Sequence, residues 1–345
     1  MKSPSPYPSR LAALAMCSAA LTTFFAAQVL AAELAAVAVP ARVTFDGNIR
    51  NNSLALSPDE TTAVVSYSER PDVVVYNLKT GGVRGVLHGY ITPRNIVFAP
   101  DGKTFYVSDS SLGEVVRIDS ATLKPVSRFA AGPGAFGTAL SKDGNALYVN
   151  NQASSTVTRF DTPGNQARVV IPGFAQPRQG VRLSPDGSKL YVTNFLGDKV
   201  TIVNTLTDKI EGEIGGFSKI RAISVTADGK TMFAANSGTN NIAVVDIAER
   251  KILSTVAVGK DPYGAALTPD GRFVYSGNLA DNTVSVIDVA TLKVVDTITG
   301  FKQPRQAIVF TRDGTLAYVL NEDLSVSKVD RASQHIVGTM EAPKN

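Results

Sequence analysis

The 345-residue chain has one cysteine, no tryptophan and two histidines. Cys17 stands alone near the N-terminus, which excludes an intrachain disulfide, a Cys-based structural zinc site and a c-type haem attachment. The missing tryptophan excludes repeats built around a Trp-Asp dipeptide. His88 and His335 fall on or near outer strands of different repeats, so no metal site is expected. No Gly-rich phosphate loop, nucleophile elbow or paired-carboxylate pattern occurs, and no cofactor is expected. Neither charge sign dominates. The 34 Lys and Arg against 30 Asp and Glu leave a formal +4, too small a balance to argue for nucleic acid by itself.

The first thirty or so residues differ from the rest. Lys2 and Arg10 precede an uncharged stretch over 11–30, and Ala31 and Ala32 follow. This pattern predicts a secretory signal peptide over 1–31, cut after Ala31 or Ala32. An uncleaved anchor is the alternative, because about 20 apolar residues can span a bilayer. The richness in Ala, Ser and Thr and the small-residue end favour cleavage. Met16 stands where a lipoprotein signal wants a small residue before Cys17. The exported chain would carry +2, no thiol and no membrane span, and its expected location is periplasmic or secreted.

The remaining chain repeats one unit. Residues 183–194 read Leu-Ser-Pro-Asp-Gly-Ser-Lys-Leu-Tyr-Val-Thr-Asn: a strand, a tight turn and a second strand. The turn aspartate recurs as Asp59, Asp101, Asp143, Asp186, Asp228, Asp270 and Asp313, at gaps of 42 or 43 residues. Five residues after it stand Val64, Tyr106, Tyr148, Tyr191, Phe233, Tyr275 and Tyr318, a packing column. A third strand ends in Asn77, Asp119, Asp161, Asn204, Asp246, Asp288 or Asp330, whose side chains are expected to close the next turn. A fourth strand follows. The expected fold is all-β: a seven-bladed β-propeller with four antiparallel strands per blade, one domain over 32–345. Two segments compete for the outer position of the last blade, 36–45 and 335–340, and the N-terminal one is preferred as the closing strand.

Tyr191-Val192-Thr193-Asn194 has variants at 106–109, 148–151 and 318–321. On these residues the chain resembles the YVTN-repeat β-propeller family and, with its signal segment, the YncE-like periplasmic members. The resemblance implies binding or scaffolding, with no shared catalytic motif. Blade 1 departs most: Glu60 replaces the turn glycine and Tyr67 the asparagine.

Candidate site residues come from the segment leading into each inner strand. Arg94, Arg178, Arg221 and Arg305 recur there behind Tyr90, Phe174, Phe217 and Phe301, and Arg50 is a looser match. The other two blades carry Phe136 and Tyr263. Arg182 stands in a column otherwise filled by Ala55, Val97, Ala139, Ser224, Ala266 and Val309, and is expected to reach into the channel. Arginines converging on one mouth would attract an anion, and the aromatics could stack on a ring or base. The competing role is bracing, each arginine pairing with an acid such as Glu69, Asp109 or Glu322. The column Asn151, Asn194, Asn236, Asn278 and Asn321 is expected to be structural.

The preferred reading is a non-enzymatic, monomeric binding or scaffold protein. Its partner would be an anionic small molecule, an acidic peptide or single-stranded nucleic acid. A propeller enzyme of lactonase, lyase or quinoprotein type is one alternative, and a protein–protein platform in the cell envelope is another.

Overall fold

A computed structural model describes residues 41–43 and 50–343. The segment 1–31 lies outside the described residues, as does most of 36–45. Among the described residues, twenty-eight strands form seven four-stranded sheets. In each sheet the strands pair antiparallel in chain order, so every blade is a meander. The blades span 52–87, 93–130, 135–171, 177–214, 220–257, 266–298 and 308–340. Among the described residues no helix is long and apolar enough to cross a membrane.

The turn aspartates explain why each inner hairpin forms. In all seven blades the carboxylate accepts the backbone N–H two residues on, as in Asp186 to Ser188 at 3.1 Å. Six blades add a Ser or Thr hydroxyl two residues before the aspartate. That hydroxyl donates to the carboxylate and accepts a backbone N–H from the start of the second strand. These bonds favour the ionised carboxylate. They pull Asp186 down to about 2, with the Ser184 hydroxyl contributing most. Asp59, Asp143, Asp228 and Asp313 are lowered with the same leading cause. The Asx residues ending the third strands behave as expected in six blades, as in Asn77 Oδ1 accepting from Lys79 and Thr80. Asp161 instead pairs with Arg168.

The core consists of seven buried clusters, each shared by two neighbouring blades. The packing column supplies one member to each: Val64 to the cluster between blades 1 and 2, and Tyr106, Tyr148, Tyr191, Phe233, Tyr275 and Tyr318, at most 5% exposed, to the other six. Burying such rings contributes about 1.5–3 kcal/mol each. The period of the repeat is therefore the period of the inter-blade core.

Ring closure corrects one expectation. The outer strand of the last blade is His335–Met340, paired with Val326–Asp330. Among the described residues each blade uses its own four strands, and the seam between blades 7 and 1 rests on side chains. Tyr76 Oη donates to the Leu324 carbonyl at 2.7 Å, and Gln306 Nε2 to the Asn52 carbonyl at 2.9 Å. The departures in blade 1 belong to this seam. Glu60, at φ 56° where all six sister blades use glycine, receives the backbone N–H of Arg312, whose guanidinium reaches the Pro58 carbonyl. Tyr67 lies under Arg305, 5.8 Å from its guanidinium carbon.

Candidate anion-binding cavity

Each arginine is delivered by the same local device. The Asn or Asp ending the second strand accepts a backbone N–H three residues before the arginine. Asn194 receives Ala175, Asn236 receives Ser218, Asn321 receives Lys302, and Asp109 receives both Ile91 and Thr92. Two residues before the site residue the chain turns left-handed, at Gln176 (φ 53°), Lys219 (φ 47°), Asp261 (φ 52°) and Gln303 (φ 48°). The asparagine column is thus structural, and what it builds is the platform for the arginines. Two glycines fit the platform closely. A Cβ on Gly180 would lie 2.7 Å from the Arg221 carbonyl oxygen, and one on Gly277 only 2.2 Å from that of Arg305.

The arginines pack against aromatic faces. Arg94 lies 4.5 Å from the Phe136 ring, Arg178 lies 4.1 Å from Phe195, and Arg221 lies 4.3 Å from Tyr263. Arg305 also meets Tyr263, at 5.1 Å. Each blade that lacks an arginine therefore supplies a ring to its neighbours' guanidinium groups. Such contacts contribute about 0.5–2 kcal/mol each. Arg94 donates to Ser110 at 2.9 Å and Asn51 at 2.5 Å, and Arg221 to Ser237 at 2.9 Å. Of the acids proposed as braces, Glu69 meets a candidate arginine among the described residues only at Arg50, and Asp109 serves the backbone. Asp109 caps backbone amides, while Glu69 pairs with Arg42 and, at 3.9 Å, with Arg50.

A cavity of about 300 Å³ occupies the channel. Five of the eight predicted residues line it: Phe136, Arg178, Arg182, Arg221 and Tyr263. Arg94 and Arg305 lie behind the wall, 1% and 3% exposed. Arg50 is exposed and borders a separate depression with Glu69 and Glu322. Arg182 lines both the cavity and a basin of about 820 Å³ on the turn side of the ring, where Asp143, Asp186 and Asp270 also lie. The enclosing wall lowers its pKa by desolvation, although its side chain keeps open surface inside the channel. Among the described residues no carboxylate lines the cavity.

Sequence reasoning missed Gln179 and Gln306. They are the extra residues behind the two 43-residue gaps, and the inner strand of blade 4 bulges between Pro177 and Val181 to hold the first. Gln179 extends from blade 4 to blades 1, 2 and 7. Its Oε1 accepts from Asn51 and from Gln306, both at 2.6 Å. Its Nε2 donates to the Asn52 carbonyl at 3.0 Å and to Asn95 at 3.1 Å. An amide network thus crosses the channel. Among the described residues no group of three or more His, Cys, Asp or Glu is arranged to hold a metal ion.

Seven contiguous four-stranded blades around a cationic axial cavity define a seven-bladed propeller. The chain belongs to the family described as Lactonase, 7-bladed beta-propeller, whose model matches residues 52–219 and 202–299. No curated protein matches the chain. Among solved structures it is similar to Kuenenia stuttgartiensis Hydrazine Synthase, with a TM-score of 0.75 and 20% identity over 81% of this chain and 95% of that one. At that identity the likeness is one of fold.

Proposed function

We propose that the protein is a non-enzymatic binding propeller that takes an anionic small molecule into its axial cavity. One observation carries this reading: among the described residues the cavity is lined by Arg178, Arg182 and Arg221 and by no carboxylate. Arg221 adds a specific donor, because its enclosed Nη1 has no hydrogen-bond partner among the described residues. An unsatisfied buried donor costs about 1–3 kcal/mol, which a carboxylate or phosphate oxygen would recover. The volume, about 300 Å³, falls at the small end for small-molecule sites. That favours a compact ligand over an acidic peptide or a nucleic-acid strand.

The YVTN-like tetrapeptides support placement among the YVTN-repeat binding propellers, and the composition of 1–31 supports export to the periplasm or medium. We read the exported protein as a monomer. Calorimetry with succinate, citrate and sugar phosphates tests the site. Binding should be measurable in the wild type and weakened roughly tenfold or more by Arg221→Met. Equal binding by the variant, or no binding across the panel, rejects the reading.

A second reading, hydrolysis of a lactone, is favoured by the family to which the chain belongs. The same arginines would receive the ring-opened carboxylate. Base uptake during incubation with a lactone panel, lost in Arg221→Met, would replace the first reading with this one.

A further inference from the structure

The cavity is cationic at two levels. Arg178 and Arg221 lie at the start of their inner strands, and Arg182 lies four residues further along the strand that begins with Arg178. A regular strand would separate Arg178 and Arg182 by about 13 Å, and the bulge, which sets four steps on this strand against two on its partner, shortens this to roughly 7–8 Å. Between the two levels the wall is narrow-sided and uncharged. Ser53, Gly180, Ala222 and Ala307 line it, and the Gln179–Gln306 amides already bond to each other.

Arg182 has no structural duty that explains it. Its column is otherwise small or aliphatic, and among the described residues it forms no ion pair. Its one hydrogen bond runs from Nη1 to the Val181 carbonyl at 2.9 Å. A cation where the cavity meets the aspartate-bearing basin, paired with no carboxylate among the described residues and facing a second cationic level, matches a ligand with two charges rather than one.

We infer that the cavity is built for an elongated dianion, a slender molecule with an acidic group at each end and an uncharged spacer, held by Arg178 and Arg221 at one end and by Arg182 at the other. This rests on the anion-site reading and narrows its ligand class.

Suberate, octanoate and succinate separate the two ideas. Suberate carries two carboxylates across a chain, octanoate has the same length with one, and succinate has two held close together. Calorimetry on the whole exported chain should show suberate binding roughly ten- to a hundredfold tighter than either control. Arg182→Ala, which introduces the residue three sister blades carry, should bring suberate to the octanoate level, and Arg182→Lys should restore part of the gap. If suberate and octanoate bind equally, or if the gap survives in Arg182→Ala, the dianion inference is overturned. Should both still weaken in Arg221→Met, the anion site itself stands. If no probe binds, both ideas fall.

Discussion

Replacing Gln179 with alanine tests whether the amide bridge holds the ring together. The substitution removes two bonds accepted by Oε1 and two donated by Nε2, at 2.6 to 3.1 Å. Each is worth about 1 kcal/mol net, and channel water will replace some of them, so the expected loss is about 2–3 kcal/mol. The loss falls on the seam in particular, because Asn51, Asn52 and Gln306 belong to blades 1 and 7. Gln306→Ala loses its donations to Gln179 and to the Asn52 carbonyl, about 1–2 kcal/mol. The two variants share one bond, so the double variant should lose about 1 kcal/mol less than the sum of the singles. Urea unfolding of all four proteins, followed by far-UV circular dichroism, measures each quantity. A Gln179→Ala loss below about 0.5 kcal/mol, or strict additivity in the double variant, would refute the claim that the amides act as a bridge.

Two further outcomes test the seam and the turns. Tyr76→Phe removes only the hydroxyl that reaches the Leu324 carbonyl at 2.7 Å, and should cost about 1 kcal/mol in urea midpoint with an unchanged slope; no change would show that the seam does not limit stability. Asp186 is held at about 2 when folded, against an unfolded value of about 3.9, so its contribution is present above about pH 4 and is lost as the pH falls toward 2. Ser184→Ala removes the main cause of that depression. The variant should be less stable than wild type at neutral pH, and the difference should shrink as the pH drops through that window. A difference that does not vary with pH would contradict the turn chemistry.

The blade count and the aromatic column were legible because they recur at a fixed spacing from the turn aspartate, and the four arginines because each follows an aromatic by four residues. A repeat displays its packing in its own columns. The contacts that do not repeat were harder to read. Ring closure depends on Glu60, Tyr67, Tyr76 and Arg312, and in the sequence the first two are only departures of blade 1 from the repeat, because their partners lie in blade 7. The 43-residue gaps were visible as spacing. Only the bulge shows that the extra residue carries an amide across the channel. Arg50 matched the arginine column loosely, and it sits outside the cavity beside Glu69. The acid braces failed as partners for Arg221 and Arg305 because aromatic rings occupy the flanking positions, and a ring cannot be inferred as an arginine's partner from charge counting.

Bracing and ligand binding are not competing duties for these arginines, because the guanidinium offers two different surfaces. Stacking uses its flat face, and hydrogen bonding uses its in-plane N–H groups. A ring beneath the face fixes the plane without consuming the donors. Arg94 shows one extreme: it is 1% exposed, its Nε and Nη1 are bonded to Ser110 and Asn51, and it does not line the cavity. Arg221 shows the other. Its face rests on Tyr263 and its Nε on Ser237, while Nη1 has no hydrogen-bond partner among the described residues and the side chain borders the cavity. Tyr263 is therefore a positioning residue for Arg221. Tyr263→Leu should weaken anion binding while leaving Arg182 in place, whereas Tyr263→Phe, which keeps the ring, should retain it. If the leucine and phenylalanine variants bind alike in calorimetry, the ring does not orient the guanidinium.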